Sequence, residues 1–268
     1  HVQNTVKKQF QQTILGYYHA HGRHDMAWRQ PPHDPYKILV SEIMLQQTQV
    51  SRVAQKYAEF LKRFQTAAVL ARAPLADVLA VWNGLGYNRR AKFLWQAAAK
   101  ITDFAENWPT TQAEWQKLPG VGPNTAGAVL AYAFNKPVAY LETNIRTVFL
   151  HHFFQGQVDV PDSAILALVT ETLPANPREW YWALMDYGAF LKLTQGNLNK
   201  ASRSYAKQSR FAGSLRQVRG EVLRQLMAKP LSSQALQNLI SDERLPAVLT
   251  QLEGEAMISF KNGVYQLG

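Results

Sequence analysis

Apolar residues recur three and four positions apart through most of the first 195 residues, the spacing of a single buried helix face. Val6, Phe10, Ile14 and Tyr17 begin the pattern. It predicts further helices over 36–47, 50–64, 76–82, 89–104, 112–118, 123–134, 143–154, 162–173 and 178–191. The connections are short and rich in Gly, Pro and Asn, and Asp162-Ser163 offers a helix cap. No strand-like alternation and no internal repeat interrupts this all-α body. The last sixty residues differ. A helix over 217–227 turns Val218, Val222, Leu223 and Leu226 to one side and ends at Pro230. Ser232 or Ser233 can cap a second helix over 234–240. Asp242 can cap a third that carries Leu245, Val248, Leu249 and Leu252. Asn262-Gly263 then sits between two β-prone runs, and both turn residues need positive φ, a strong hairpin signal. Three helices and a hairpin form a winged helix-turn-helix pattern, a small α+β domain. Its third helix offers only Arg244 beside Glu243 and Glu253, so packing or partner binding stands level with base reading, and its partner stays open.

Composition narrows the partners. The 268 residues carry a net charge of +10, and an apolar fraction of 47% is enough for a substantial core. Residues 200–229 hold eight cations against Glu221, so +7 of the charge lies there. A polyanion such as nucleic acid is the partner that this favours, although many basic proteins are merely soluble. The stretch 197–213 is polar, flanked by Gly196 and Gly213, and reads as a basic linker or loop. Zero cysteines excludes disulfides, a thiolate nucleophile and thiolate-bound metals, and no cofactor is expected. No apolar run approaches the ~18 residues of a membrane span, and no signal-peptide pattern opens the chain, so no membrane and a cytoplasmic location are the expectation.

The chemistry concentrates in a few strings. Leu118-Pro-Gly-Val-Gly-Pro-Asn-Thr-Ala126 joins two helices. Gly120 and Gly122 can leave backbone N–H groups open beside a helix N-terminus, a phosphate site without side chains. Alone this is an ordinary helix-hairpin turn. The whole string resembles the helix-hairpin-helix of the DNA glycosylase superfamily that includes endonuclease III. Ser41-Glu-Ile-Met-Leu-Gln-Gln-Thr-Gln-Val50 resembles the signature of MutY-type adenine DNA glycosylases. Trp82-Asn-Gly-Leu-Gly-Tyr87 with Arg89-Arg90-Ala91, Leu141-Glu-Thr-Asn-Ile-Arg-Thr-Val148 and Met185-Asp-Tyr-Gly-Ala189 resemble further segments of that family in the same order.

The resemblance implies a two-lobed helical glycosylase domain over 1–195, with its helix-hairpin-helix at 112–134. The basic loop then spans 196–213 and the winged helix 214–268. It also implies an active site in the cleft between the lobes and a double-stranded DNA substrate with one base flipped out; a monomer is the expectation. Breaking a base–deoxyribose bond calls for an acid at the leaving base and an anion at the developing sugar cation. By resemblance Glu42 is the acid, directed at a purine N7. Glu142 stands where the family has an aspartate, and its extra methylene moves the carboxylate about an ångström further from the backbone. Asn144 can orient that carboxylate or a water. Asn124 occupies the place of the attacking lysine in endonuclease III-like lyases, so a monofunctional, water-using enzyme is implied. Gln46, Gln47 and Tyr87 are implied to fill the gap left by the extruded base. Gly120, Gly122, Asn124 and Thr125 would hold phosphate. Lys192, Asn199, Ser202 and Gln208 replace the four cysteines of the family's iron–sulfur loop, which rules out a cluster bound as in the family. Lys200 and Arg203 make that loop a candidate phosphate contact instead. The winged-helix pattern stands where MutY-type enzymes carry a domain that recognises 8-oxoguanine, which leaves the opposite base open. The leading expectation is removal of a mispaired adenine. A thymine, uracil or other damaged-base glycosylase on the same fold is the alternative, and a non-catalytic damage-binding protein is the alternative of another class.

Overall fold

Five helices of this chain start at a residue whose side chain caps the first turn. The structure, a computed structural model, describes residues 1–268. Helices α1 (Asn4–His21), α2 (Pro35–Leu45) and α3 (Val50–Arg63) open it. The short α4 (Ala67–Arg72) is begun by Thr66, whose hydroxyl accepts the Val69 N–H at 3.2 Å. Then come α5 (Leu75–Trp82), α6 (Arg89–Thr102) and α7 (Gln112–Trp115). A reciprocal capping box between Thr111 and Glu114 starts α7. Next are α8 (Pro123–Phe134), α9 (Thr143–Phe153), α10 (Asp162–Thr172) and α11 (Pro177–Gln195). Both α8 and α11 have proline in the first turn, where its missing N–H has no partner to lose. The C-terminal part holds α12 (Leu215–Ala228), α13 (Ser233–Leu239), α14 (Leu245–Gly254), β1 (Ile258–Lys261) and β2 (Val264–Leu267). The strands pair antiparallel, Ile258 with Leu267, and Asn262 (φ 52°) and Gly263 (φ 78°) make the left-handed turn that the sequence signalled.

Several boundaries differ from the sequence reading. Helix α4 was not foreseen. Helix α7 is one turn, not 112–118, because the chain leaves it for the Leu118–Gly122 turn. Pro161 holds the cap position of α10, while Asp162 lies inside the first turn and binds Arg146 at 3.0 and 2.9 Å. Asp242 does not cap α14; its carboxylate takes the N–H of Arg244 and the Arg244 guanidinium instead. Gly122 is extended (φ −88°), so only Gly120 (φ 75°) uses the left-handed region in the hairpin. Within 196–213, Leu198–Ala201 forms a 3-10 turn and Ser202 bridges Val160, so the front of the basic segment is ordered.

The chain divides into two compact units, and the boundary in α2 falls between Glu42 and Ile43. The first comprises residues 1–42, 109–117 and 121–207. In its core the Phe10 ring of α1 meets Phe149 of α9 at 5.3 Å and Trp180 of α11 at 5.6 Å, both edge to face. Helices α9 and α11 cross so closely that a Cβ at Gly188 would lie 2.3 Å from the Asn144 carbonyl oxygen. The second unit comprises residues 43–108, 118–120 and 208–268. Phe60, Leu79, Trp82 and Leu94 are fully buried there, and α12 packs on α5. Val222, Leu223, Leu252 and Ile258 knit α12, α14 and the hairpin together. Each such side chain contributes about 1.5–3 kcal/mol through removal from water.

Candidate active site

Glu42 and Glu142 belong to the same unit, and each is half-buried as a residue. Glu42 lies on α2 between fully buried neighbours, Ser41 and Ile43. Burial, reinforced by the Glu142 charge and opposed by Arg29, pushes its carboxyl up to about 8. Glu142 is the N-cap of α9, and its Oε1 accepts the Ile145 N–H at 2.7 Å. Burial raises Glu142 to about 7, against the pull of the Ile145 and Asn144 N–H groups and of Arg146 and Arg23. The extra methylene relative to aspartate therefore does not free this carboxylate from its own helix. Because the Glu142 charge adds to the burial that raises Glu42, the two cannot both ionise readily near neutral pH, so Glu42 stays an acid while Glu142 becomes an anion.

The surroundings hold this pair in a low-polarity frame. Tyr132 and Tyr140 are buried and share a hydroxyl–hydroxyl hydrogen bond of 2.7 Å. Burial, with the Glu42 charge, keeps both phenols neutral far above ordinary pH. Asn124 is exposed at the start of α8, and its Oδ1 accepts the Leu141 N–H at 3.1 Å. It thereby anchors the residue before Glu142. Asn144 contributes its backbone N–H to Glu142, and its position is locked by Gly188.

Two buried arginines hold the surroundings of the site in ways the sequence reading did not assign. Arg29 is 6% exposed and donates to both oxygens of Asp186 at 2.8 and 2.9 Å. Arg23 adds its Nε at 2.7 Å and its backbone N–H at 2.7 Å. Burial alone would raise the Asp186 carboxyl, but Arg29 and Arg23 outweigh it and hold the group below its ordinary value. Asp186 thus fixes Arg29, the cation whose charge opposes the rise of Glu42. The second is Arg90 in the other unit. It donates to the carbonyls of Ile43 (2.8 Å), Met44 (2.9 Å), Gln46 (2.5 Å), Leu85 (3.2 Å) and Gly86 (3.0 Å), and to Thr48 Oγ1 (2.9 Å). Burial lowers its pKa to about 10. One side chain therefore closes the end of α2 and ties it to the Gly84–Tyr87 loop. The only sequence signal for either arginine was its place beside a family motif.

Among the remaining expected residues, Gln46, Gln47 and Tyr87 come together around Arg90. Gln47 (φ 55°) and Tyr87 (φ 45°) both hold left-handed backbone, a strained state for such side chains. The hairpin turn needs Gly120, because a Cβ there would lie 2.7 Å from Phe93 Cβ. No side chain caps α8 at Gly122, and Thr125 follows in its first turn. Lys200 is exposed, whereas Arg203 is paired with Asp159 at 2.9 Å. The positions of the family's four cysteines do not fit an iron–sulfur cluster. None offers a thiolate, Lys192 and Gln208 are exposed, and Asn199 donates to Thr147 Oγ1 at 2.8 Å and to the Thr143 carbonyl at 3.3 Å. No helix is long and apolar enough to cross a membrane.

The sequence profile of the HhH-GPD superfamily base excision DNA repair proteins matches residues 40–168. The adenine DNA glycosylase of Mycolicibacterium smegmatis is 34% identical over 229 residues, covering 78% of each chain. That of Buchnera aphidicola subsp. Baizongia pistaciae is 37% identical over 190 residues, 69% of this chain and 53% of its own length. The chain thus spans about half the length of that relative. A thermostable thymine-DNA glycosylase superposes with a TM-score of 0.61 at 26% identity, covering 74% of this chain and 95% of that one. A trapped endonuclease III–DNA intermediate shares the fold, with a TM-score of 0.53 at 18% identity over 71% and 86% of the two chains. With the motifs of α2, the α7–α8 hairpin, α9 and α11 all in place, the chain belongs to the HhH-GPD superfamily of base excision DNA repair proteins, on its MutY-like branch.

Proposed function

We propose that the chain is a monofunctional DNA glycosylase that removes a mispaired adenine from duplex DNA in base excision repair, acting as a cytoplasmic monomer. The observation that carries this is the Glu42–Glu142 pair, an acid held protonated to about pH 8 beside a carboxyl that ionises near 7. In this reading Glu42 gives its proton to N7 of the flipped adenine as the C1′–N9 bond breaks. The bond's electron pair leaves with the neutral base, and ionised Glu142 stabilises the sugar cation. Water then adds to C1′ and returns a proton to Glu42. Asn124 is an amide, not an amine, so no Schiff base forms and the product is an intact abasic site. The Gly120–Thr125 turn and Lys200 serve the phosphates, and Gln46, Gln47 and Tyr87 serve the gap in the stack.

The likeness to a thymine-DNA glycosylase supports a second reading, excision of a mispaired pyrimidine. A panel of duplexes bearing adenine, thymine, uracil, hypoxanthine or an alkylated base opposite guanine, cytosine or 8-oxoguanine separates the two. Adenine release that is abolished in Glu42→Gln and Glu142→Asn supports the leading reading. Full activity in both variants sinks the site assignment. DNA affinity without any abasic product leaves only the damage-binding protein. Covalent trapping with borohydride would overturn the monofunctional assignment.

A further inference from the structure

The second unit holds a groove of about 480 Å³ between the first turn of α6, the first half of α12 and the end of α14. One end reaches Gln46, Gln47 and Tyr87, which the proposed function already uses. The other end is walled by Arg89, Phe93, Arg219 and Glu255, and it carries more positive than negative charge. Arg219 puts both terminal nitrogens on the Glu255 carboxylate, at 3.2 and 2.6 Å. Lys92 donates to the backbone carbonyl of the same residue. Arg89 stands 4.0 Å from the carboxylate, with its guanidinium 5.6 Å from the Phe93 ring centre. That guanidinium is exposed and makes no hydrogen bond. Three cations therefore gather on one acid. The acid itself is poorly placed, because Glu255 is the C-cap of α14, where the helix dipole already presents negative charge.

Planar guanidinium forks with an excess of charge match one chemical group closely, the phosphodiester, whose oxygens accept two parallel N–H bonds from each arginine. We propose that this end of the groove seats one backbone phosphate of a DNA duplex, bridged by Arg89 of α6 and Arg219 of α12, with Glu255 as the counter-ion that the phosphate displaces. The inference rests on DNA being the substrate. A contact of this kind positions the duplex and reads no sequence. It gives the C-terminal segment a place on DNA through α12 rather than through the supposed recognition helix α14, whose Arg244 is occupied by Asp242.

The test is binding, at constant salt, to a series of duplexes with one mispaired adenine in which a single backbone phosphate at a time is replaced by an uncharged methylphosphonate. The wild-type chain should lose about tenfold in affinity at the seated position. Arg89→Gln, at an exposed site, should lose about as much on the unmodified duplex and suffer no further loss at that position. Arg224→Gln, on the same α12 but paired with Glu221, should keep the full penalty there, which separates a contact from a general loss of charge. Glu255→Gln removes the competing anion and should tighten binding to the unmodified duplex about threefold. A methylphosphonate penalty that Arg89→Gln retains at every position overturns the proposal, as does Glu255→Gln binding no more tightly than wild type. A chain with the position-specific loss that releases no base refutes the glycosylase reading and leaves this site standing. An active chain without that loss does the reverse.

Discussion

Replacing Glu42 should make the protein more stable, increasingly so as pH rises above the carboxyl's unfolded value. Burial moves the Glu42 carboxyl from 4.5 to about 8. The native state therefore binds this proton more tightly than the unfolded chain does. Stability is fully present below the unfolded value of 4.5 and is lost as pH rises toward about 8. At about 1.4 kcal/mol per pH unit, the native state would forgo on the order of 5 kcal/mol by pH 8.5. Partial solvent access and the dependence of this shift on the Glu142 charge reduce the expected figure to about 2–3 kcal/mol. Glu42→Gln removes the ionisation and keeps the shape. Urea unfolding at pH 4.5 and pH 8.5 should show little difference between variant and wild type at the lower pH and a variant about 2–3 kcal/mol more stable at the higher. A variant that is less stable at pH 8.5, or a difference independent of pH, would refute the burial of an acid at this site.

The same pair should give a bell-shaped rate profile, rising as Glu142 ionises near 7 and falling as Glu42 deprotonates above about 8; a single-turnover rate still climbing through pH 9 would contradict it. Arg90→Met strands six backbone carbonyls and should cost about 3–5 kcal/mol in urea unfolding, with a loss below 1 kcal/mol arguing that water replaces it freely. Gly188→Ala drives a methyl into the Asn144 carbonyl and should destabilise by about 3 kcal/mol, seen as a lowered Tm. Lys200→Glu should weaken DNA binding and flatten its salt dependence by about one ion, while Arg203→Glu should do less because Arg203 already pairs with Asp159; identical slopes in both variants and wild type would remove the loop from the interface.

The elements most readable in advance were those with both periodicity and punctuation. Helix α8 runs from Pro123 to Phe134 as its first-turn proline and apolar spacing demand, and Asn262-Gly263 places the hairpin. Helix α4 escaped because six residues are too few for a periodic signal, although Thr66 marks its start. The caps at Asp162 and Asp242 were misplaced because arginines compete for those carboxylates, and such competition is a tertiary fact. At the site, the motifs exposed Glu42 and Glu142 as residues, and the apolar Ile43, Met44 and Leu45 around Glu42 already point to a raised carboxyl there, whereas nothing in the string marks Glu142 as raised. Nor did a string of letters distinguish Arg90, buried against seven acceptors, from the exposed Arg89 beside it. The link from Asn124 to Leu141 spans seventeen positions and exists only once α8 and α9 have packed.

The loop over 196–208 carries a consequence for how this fold is completed. Its front is held by Asn199 on Thr147, by Ser202 on Val160 and by Arg203 on Asp159, all ordinary contacts formed by the chain itself. A loop assembled this way is complete when translation ends. It needs no iron supply, no sulfide donor and no assembly machinery. Chelators and oxidants that dismantle thiolate-bound clusters find nothing here to attack.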